Sequence, residues 1–451
     1  MNSSGSTKSH LKHTLILTAL LLTGFAASES HAQSTYLKVG EAKLKKPVIA
    51  FMPASANNEN AQARLKIVNQ TIAADLAFMD QFKILPEAGF AQVKISTLSE
   101  IQFADWAKAG ADYVSFGTFS EEKNQLTYEF HLVNIGSNHE AIAKKFVADR
   151  DEAKLLGHAI ANDIVQAITL KRGIFLTRIA FVCDKSGKKE IYTSAFDGSD
   201  VRQVTRLRSL SMGPAWSPDG NRLAFSVYNR HSDNVKNIDM FEIQFKTGAL
   251  KLLSNRKGIN SGAAYSPDGT KIAYTMSHTG NPEVHLLDLE TRETTQITRS
   301  IGFDVDPAFS PDGKTLAFVS SRPGKPMIYT VTLSNPLAST SVVKRLTYAG
   351  SYNATPSWSP DGKKIAFAGW IDRHFDLFLI TADGAKIERL TKDEGNNEDP
   401  HYSPDGNFLA FTSSRSGGKN IFVMGVDGGN AKRITFGMGN CMAPKWSPYL
   451  Q

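Results

Sequence analysis

Two patterns of apolar and polar positions divide the chain. Between residues 36 and 172 helical spacing alternates with strand-like runs. Leu65, Val68, Ile72, Leu76 and Met79 fall on one helical face, which predicts a helix over 60–82. Residues 151–170 show the same spacing with Asp151 near the start, and 99–108 read as a short capped helix ending at Gly110. Tyr128-Glu129-Phe130-His131-Leu132 alternates with period two, so 126–135 is a strand. Residues 47–52, 82–85, 113–119 and 141–148 are strand-like as well. Together these describe a small mixed α/β domain.

After residue 177 the pattern becomes a repeat. Ser-Pro-Asp-Gly starts at Ser217, Ser266, Ser310, Ser359 and Ser403, and Ser-Pro alone returns at Ser447, with spacings of 49, 44, 49, 44 and 44. That is the period of a propeller blade, about 40–50 residues. An aromatic residue precedes each Ser: Trp216, Tyr265, Phe309, Trp358, Tyr402 and Trp446. An Ala-aromatic pair follows each Asp-Gly, as in Ala224-Phe225 and Ala366-Phe367. Two further short runs complete each unit, the last ending in Thr or Ser.

Each unit therefore reads as four strands, A to D, with Asp-Gly forming the A–B hairpin because Gly tolerates positive φ and Asp bonds its own backbone. Residues 178–183, 190–195 and 201–205 supply B, C and D of a blade without an A; residues 443–448 supply an A with nothing after it. The two pieces make one blade, giving six and leaving no open edge in the ring. The expected fold is thus a small α/β domain over 33–172 followed by an all-β six-bladed propeller over 173–451, its first blade closed by 443–448.

The first 32 residues differ from both. Lys8 and Lys12 precede an uncharged, Leu-rich run over 14–27, and small residues stand at Ser30 and Ala32. This is the layout of a cleavable secretory signal, cut after Ala32 or after Ser28. An uncleaved anchor is the alternative, but the run falls short of the about 20 apolar residues that span a bilayer. The mature product is expected to be soluble in an extracytoplasmic space, peripheral to membrane and not inserted.

Composition excludes several classes. With 41% hydrophobic and 21% charged residues the 451-residue chain can pack a core. A formal charge of +7 without a basic run interleaved with aromatics gives no nucleic-acid signature. No Gly-x-Ser-x-Gly, His-Glu-x-x-His or phosphate-binding Gly-rich loop occurs, so no catalytic residue, cofactor or metal site is assigned. Asp304 and Asp306 stand before one A strand, Glu398 and Asp399 before another; a solvated loop or a protein contact explains them better than a cation site.

Topology assigns a binding face. D–A and B–C loops emerge on one side of the ring, Asp-Gly hairpins on the other, and only the former vary from blade to blade. Partner contacts are expected there at Ile259, Asn260, Asp304, Val305, Asp306, Tyr352, Asn353, Asn397 and Glu398, with Arg322, Arg373, His374 and Arg415 as a basic rim. Aligning the closing blade on the one at Trp358 brings Cys183 beside Cys441 or Met442. Direct opposition allows a disulfide, worth about 4–5 kcal/mol at most by chain entropy; a one-residue slip leaves two buried thiols.

The junction Arg172-Gly173 through Arg178-Ile179-Ala180-Phe181-Val182 and the ending Trp446-Ser447-Pro448-Tyr449-Leu450 resemble those of the TolB family, propeller proteins of the Tol–Pal system. Gly110-Ala111-Asp112-Tyr113 and His158 with Asp163 resemble its N-terminal domain. The resemblance implies a non-enzymatic periplasmic protein that binds the lipoprotein Pal through the propeller and TolA through the N-terminal region. It implies roles in outer-membrane integrity, in constriction at cell division and, in some members, in bacteriocin import. A periplasmic propeller hydrolase or carbohydrate-binding module is the alternative.

Overall fold

The computed structural model describes residues 45–52, 54–86, 90, 95, 97–231, 235–333, 342–392 and 394–450. The leader expected over 1–32 lies outside them. Among the described residues no helix is long and apolar enough to cross a membrane.

The first region is one sheet with helices on its faces. Strands β1 (Val48–Phe51), β2 (Ser55–Ala56), β3 (Lys83–Ile84), β4 (Tyr113–Glu122), β5 (Gln125–Asn134) and β6 (His139–Asp149) run in the order β3-β1-β4-β5-β6, and β2 pairs with β4. Helix α1 (Glu59–Met79) starts where Asn58 caps the Ala61 N–H, and its Leu65, Val68, Ile72 and Leu76 are buried. Helix α2 (Phe103–Lys108) is short, because Ile101 leaves helical geometry to bury itself in a second core and breaks the helix expected over 99–108 into a 3₁₀ turn and α2. Helix α3 (Ala153–Thr169) packs on α1; a Cβ on its Gly157 would come within 2.7 Å of Thr71 Cβ, so only glycine permits that approach.

Six four-stranded antiparallel sheets follow. Blade 1 has the order Cys441–Trp446, Arg178–Cys183, Glu190–Ala195, Arg202–Gln203, so the end of the chain supplies its strand A. Strands A of blades 2 to 6 are Ser211–Trp216, Asn260–Tyr265, Asp304–Phe309, Asn353–Trp358 and Asn397–Tyr402. The Ala-aromatic positions fill the space between blades: Phe181, Phe225, Tyr274, Phe318, Phe367 and Phe411 are fully buried, each worth about 1.5–3 kcal/mol.

One hydroxyl explains how the hairpin motif also closes the ring. In blades 2 to 6 the motif Ser Oγ accepts the N–H at or beside the start of strand B, as from Lys271 (2.9 Å), Thr315 (3.0 Å) and Lys364 (2.9 Å). In blade 1 Ser447 Oγ accepts the Arg178 N–H at 3.0 Å. The same bond thus joins residues 269 positions apart.

The α/β region packs on the hairpin side of blades 1 and 6. Phe78 at the end of α1 meets Phe196 and Phe408 with ring centroids at 5.0 and 5.3 Å. Lys154 pairs with Asp197 at 3.0 Å, and Arg172 donates to the Leu450 carbonyl at 2.7 Å. Behind them, His158 Nδ1 and Asp75 form a buried contact of 2.7 Å that joins α3 to α1. Among the described residues the opposite side of the ring is left open.

Candidate protein-binding face

Strand A of every blade begins earlier than the sequence pattern indicates, and its first residue points inward. Ser211, Asn260, Asp304, Asn353, Asn397 and Cys441 occupy this one position and all are buried. The expectation of a partner contact at Asn260, Asp304, Asn353 and Asn397 is therefore corrected: these side chains tie strand A to its own blade and to the incoming loop. Asn397 Oδ1 accepts from Ser413 Oγ (2.8 Å) and Arg415 Nη2 (2.9 Å). Asn260 donates to the Ile238 and Arg256 carbonyls, and Asn353 to the Ala349 carbonyl. Burial pushes the Asp304 carboxyl up, and the Ser320 hydroxyl and Arg322 guanidinium oppose that shift.

Arg322 and Arg415 are corrected as well. Instead of standing out as a rim they fold inward over ring faces, Arg322 over Phe318 and Tyr329 and Arg415 over Phe411 and Phe422. Each also bonds the strand A residue of its blade, Arg322 to Asp304 at 2.7 Å. His374 leans on buried Asp376 at 3.1 Å, which Arg389 also contacts. Glu398 is held by Lys419 at 2.7 Å. Arg373 and Tyr352 are exposed, and Ile259, Val305 and Asp306 are half-buried around the channel mouth. Tyr352 packs edge-on to Phe375, which also meets Trp370, so an aromatic cluster stands at the mouth beside blade 5.

A second feature is invisible in the residue pattern. Two residues further along each strand A the ladder slips, and the residue there has positive φ: Gly213, Gly262, Asp306, Thr355, Asp399 and Ala443. Such a bulge bends the inner strand and turns its side chains to the channel. Glycine is at ease in that conformation; Thr355 and Ala443 hold it at a cost of about 1–2 kcal/mol each. The only sequence signal is the Pro that follows in five of the six.

Charge gathers at this level. Burial raises the Asp306 carboxyl, with Lys445 opposing and Asp399 reinforcing the shift. Burial lowers the Lys445 ammonium against the pull of both aspartates. Burial, then the Lys445 charge, takes His401 down to about 3. His401 is thus neutral at ordinary pH, and its Nδ1 accepts the Trp446 N–H at 3.1 Å. Asp399 accepts from Thr412 Oγ1 and the Ala443 N–H. Towards the hairpin side the channel opens into a cavity of about 380 Å³ lined by the Ser-Pro segments of all six blades. Among the described residues no three His, Cys, Asp or Glu side chains are grouped to hold a metal ion.

The seam of blade 1 carries a covalent bond at a position that blades 4 and 6 fill with polar pairs. Cys441 stands opposite Cys183 in register, and their sulfurs are joined, 2.11 Å apart. In blade 6 the equivalent pair is Asn397 with Ser413, in blade 4 Asp304 with Ser320.

A model described as the TolB beta propeller domain matches residues 165–372 and 353–450, and one described as the TolB amino-terminal domain matches 35–141. The chain belongs to the TolB family. A TolB homolog of Chlorobium luteolum is 31% identical over 304 residues, 66% of this chain and 68% of that protein. The Tol-Pal system protein TolB of Geobacter sulfurreducens is 34% identical over 216 residues, 48% of this chain and 50% of that protein. The crystal structure of TolB from Acinetobacter baumannii superposes with a TM-score of 0.76 at 25% identity, covering 89% of this chain and 97% of that one.

Proposed function

We propose that this chain is a non-enzymatic periplasmic scaffold of the Tol–Pal system that binds the peptidoglycan-associated lipoprotein Pal through the open face of its propeller. The observation that carries this reading is the division of the ring into two sides: one covered by the α/β region, the other presenting variable loops and an aromatic cluster around a charged channel mouth. Loops on a rigid scaffold are the usual seat of binding. The accessible contacts are Ile259, Val305, Asp306, Tyr352, Arg373 and Glu398. TolA is assigned to the N-terminal region, and the consequence of both contacts is support of the outer membrane and its constriction at division.

Capture from an envelope extract of the same bacterium tests this. Pal identified by mass spectrometry on the wild-type chain, and lost from Tyr352→Ala with Arg373→Glu, is the expected result. Capture unaffected by that pair, or turnover of esters or lactones by the purified chain, would favour a different function.

A further inference from the structure

We propose that the outer rim of the open propeller face rests on a lipid surface bearing anionic headgroups. This does not depend on the Pal assignment, which concerns the channel mouth. It rests on the six D–A loops, which the fold holds at a common level. In five blades the Thr that ends strand D accepts the N–H of a strand C residue: Thr205 from Ile191, Thr298 from Val284, Thr347 from Ile328, Thr391 from Leu377 and Thr435 from Ile421, at 2.8–3.0 Å. The residues just beyond that anchor therefore project from equivalent places around the ring.

What they project is unusual for a solvated loop. Four of the six loops carry an exposed apolar side chain: Leu207 (39% exposed), Ile301 (105%), Tyr348 (73%) and Phe436 (69%). Tyr348 and Phe436 lie under Arg345 and Arg433, at 4.7 and 4.9 Å from the ring centroids. Single exposed apolar residues need no explanation, but four within three residues of the same anchor, in corresponding loops of a rigid ring, form a pattern.

Buried carboxylates brace two of these loops from below, Glu190 accepting the Arg208 N–H at 2.7 Å and Glu283 the Ser300 N–H at 2.9 Å, while the exposed charges beside the tips are cationic. Arg206 and Arg208 flank Leu207, Arg299 precedes Ile301, and the loop between blades 2 and 3 carries Arg256 and Lys257. All five are exposed, and among the described residues none makes an ion pair. Acidic side chains on the same face are engaged: Glu394 with Arg415, Glu398 with Lys419, Asp372 with Arg389, and Asp184 with Asn440. Among the described residues the exposed, unpaired charge of these loops is therefore positive. Apolar tips set among cations fit a membrane interface, where the tips enter the headgroup boundary and the cations meet phosphate. The α/β region lies on the opposite side and leaves this approach clear.

Vesicle co-sedimentation tests the proposal with the chain from residue 33 onward, so that the apolar leader cannot itself bind lipid. Vesicles of phosphatidylglycerol in phosphatidylcholine should retain the chain, vesicles of phosphatidylcholine alone should not, and raised salt should release it. Neutralising Arg206, Arg208, Arg256, Lys257 and Arg299 to Gln should weaken binding about fivefold per charge. Ile301→Ser alone, on a side chain that touches nothing, should weaken it about tenfold with an unchanged circular dichroism spectrum. No retention on anionic vesicles would overturn the proposal, as would equal retention of wild type and both variants. Full retention of Ile301→Ser, with soluble polyphosphate displacing the chain from vesicles, would also overturn it and assign the rim to a dissolved polyanion.

Discussion

Breaking the Cys183–Cys441 bond should loosen the ring at its seam. The bond spans 258 residues. Chain entropy assigns a loop of that length about 5 kcal/mol, and cross-links over long loops commonly deliver about 2–4 kcal/mol. Strand A of blade 1 would still pair with strand B, and Ser447 would still cap Arg178, so the fold should survive with a weaker closure. With a urea slope of about 3 kcal/mol per molar, the midpoint should fall by about 1 M on adding a phosphine reductant in urea. Both sulfurs are fully buried, so reduction under native conditions should be slow. The variant Cys183→Ala with Cys441→Ala should unfold at the lower midpoint and ignore the reductant. Two alkylated cysteines in urea without reductant, or an unchanged midpoint on reduction, would refute this reasoning.

Three further outcomes follow from the inner strands and the helix contact. Asn397→Ala leaves Ser413 Oγ and Arg415 without their buried acceptor, and should cost about 2–3 kcal/mol in urea unfolding while the far-ultraviolet spectrum stays unchanged. Asp306 has a raised folded-state pKa, so the folded chain holds that proton more tightly than the unfolded chain; its carboxyl costs nothing below the ordinary carboxylate value and costs stability as pH rises through the raised one. Asp306→Asn should therefore raise the urea midpoint at pH 7 and lose that gain at pH 3. Gly157→Ala places a Cβ against Thr71 and the Val68 carbonyl, and should destabilise the α/β region by about 1–3 kcal/mol, seen as earlier proteolysis of that region.

The blades are legible in the sequence because their determinants are local: a Ser-Pro-Asp-Gly turn, an aromatic before it and an Ala-aromatic pair after it recur at a blade-sized period. The seam is legible for the same reason, since Ser447-Pro448 lacks the Asp-Gly that only a continuing hairpin needs. The binding face is less so. Asn260, Asp304, Asn353 and Asn397 are polar residues at strand starts, where solvent is the ordinary expectation; their partners, such as Ser413 and Arg415, come from a different strand and loop. The slip that gives Asp306 and Thr355 positive φ is likewise set by ring geometry, and Pro after it marks only an inner edge strand. That slip is also why a hairpin alignment leaves the register of Cys183 open by one residue.

Calorimetric titration of the chain with the soluble domain of its own Pal bears most directly on the proposed role. Wild-type binding is expected, weakened at least tenfold by Tyr352→Ala with Arg373→Glu on the open face. Lys363→Glu, exposed on the opposite hairpin side, should leave it unchanged. No heat of binding to Pal, or loss of binding from Lys363→Glu alone, would contradict the assignment of the open face.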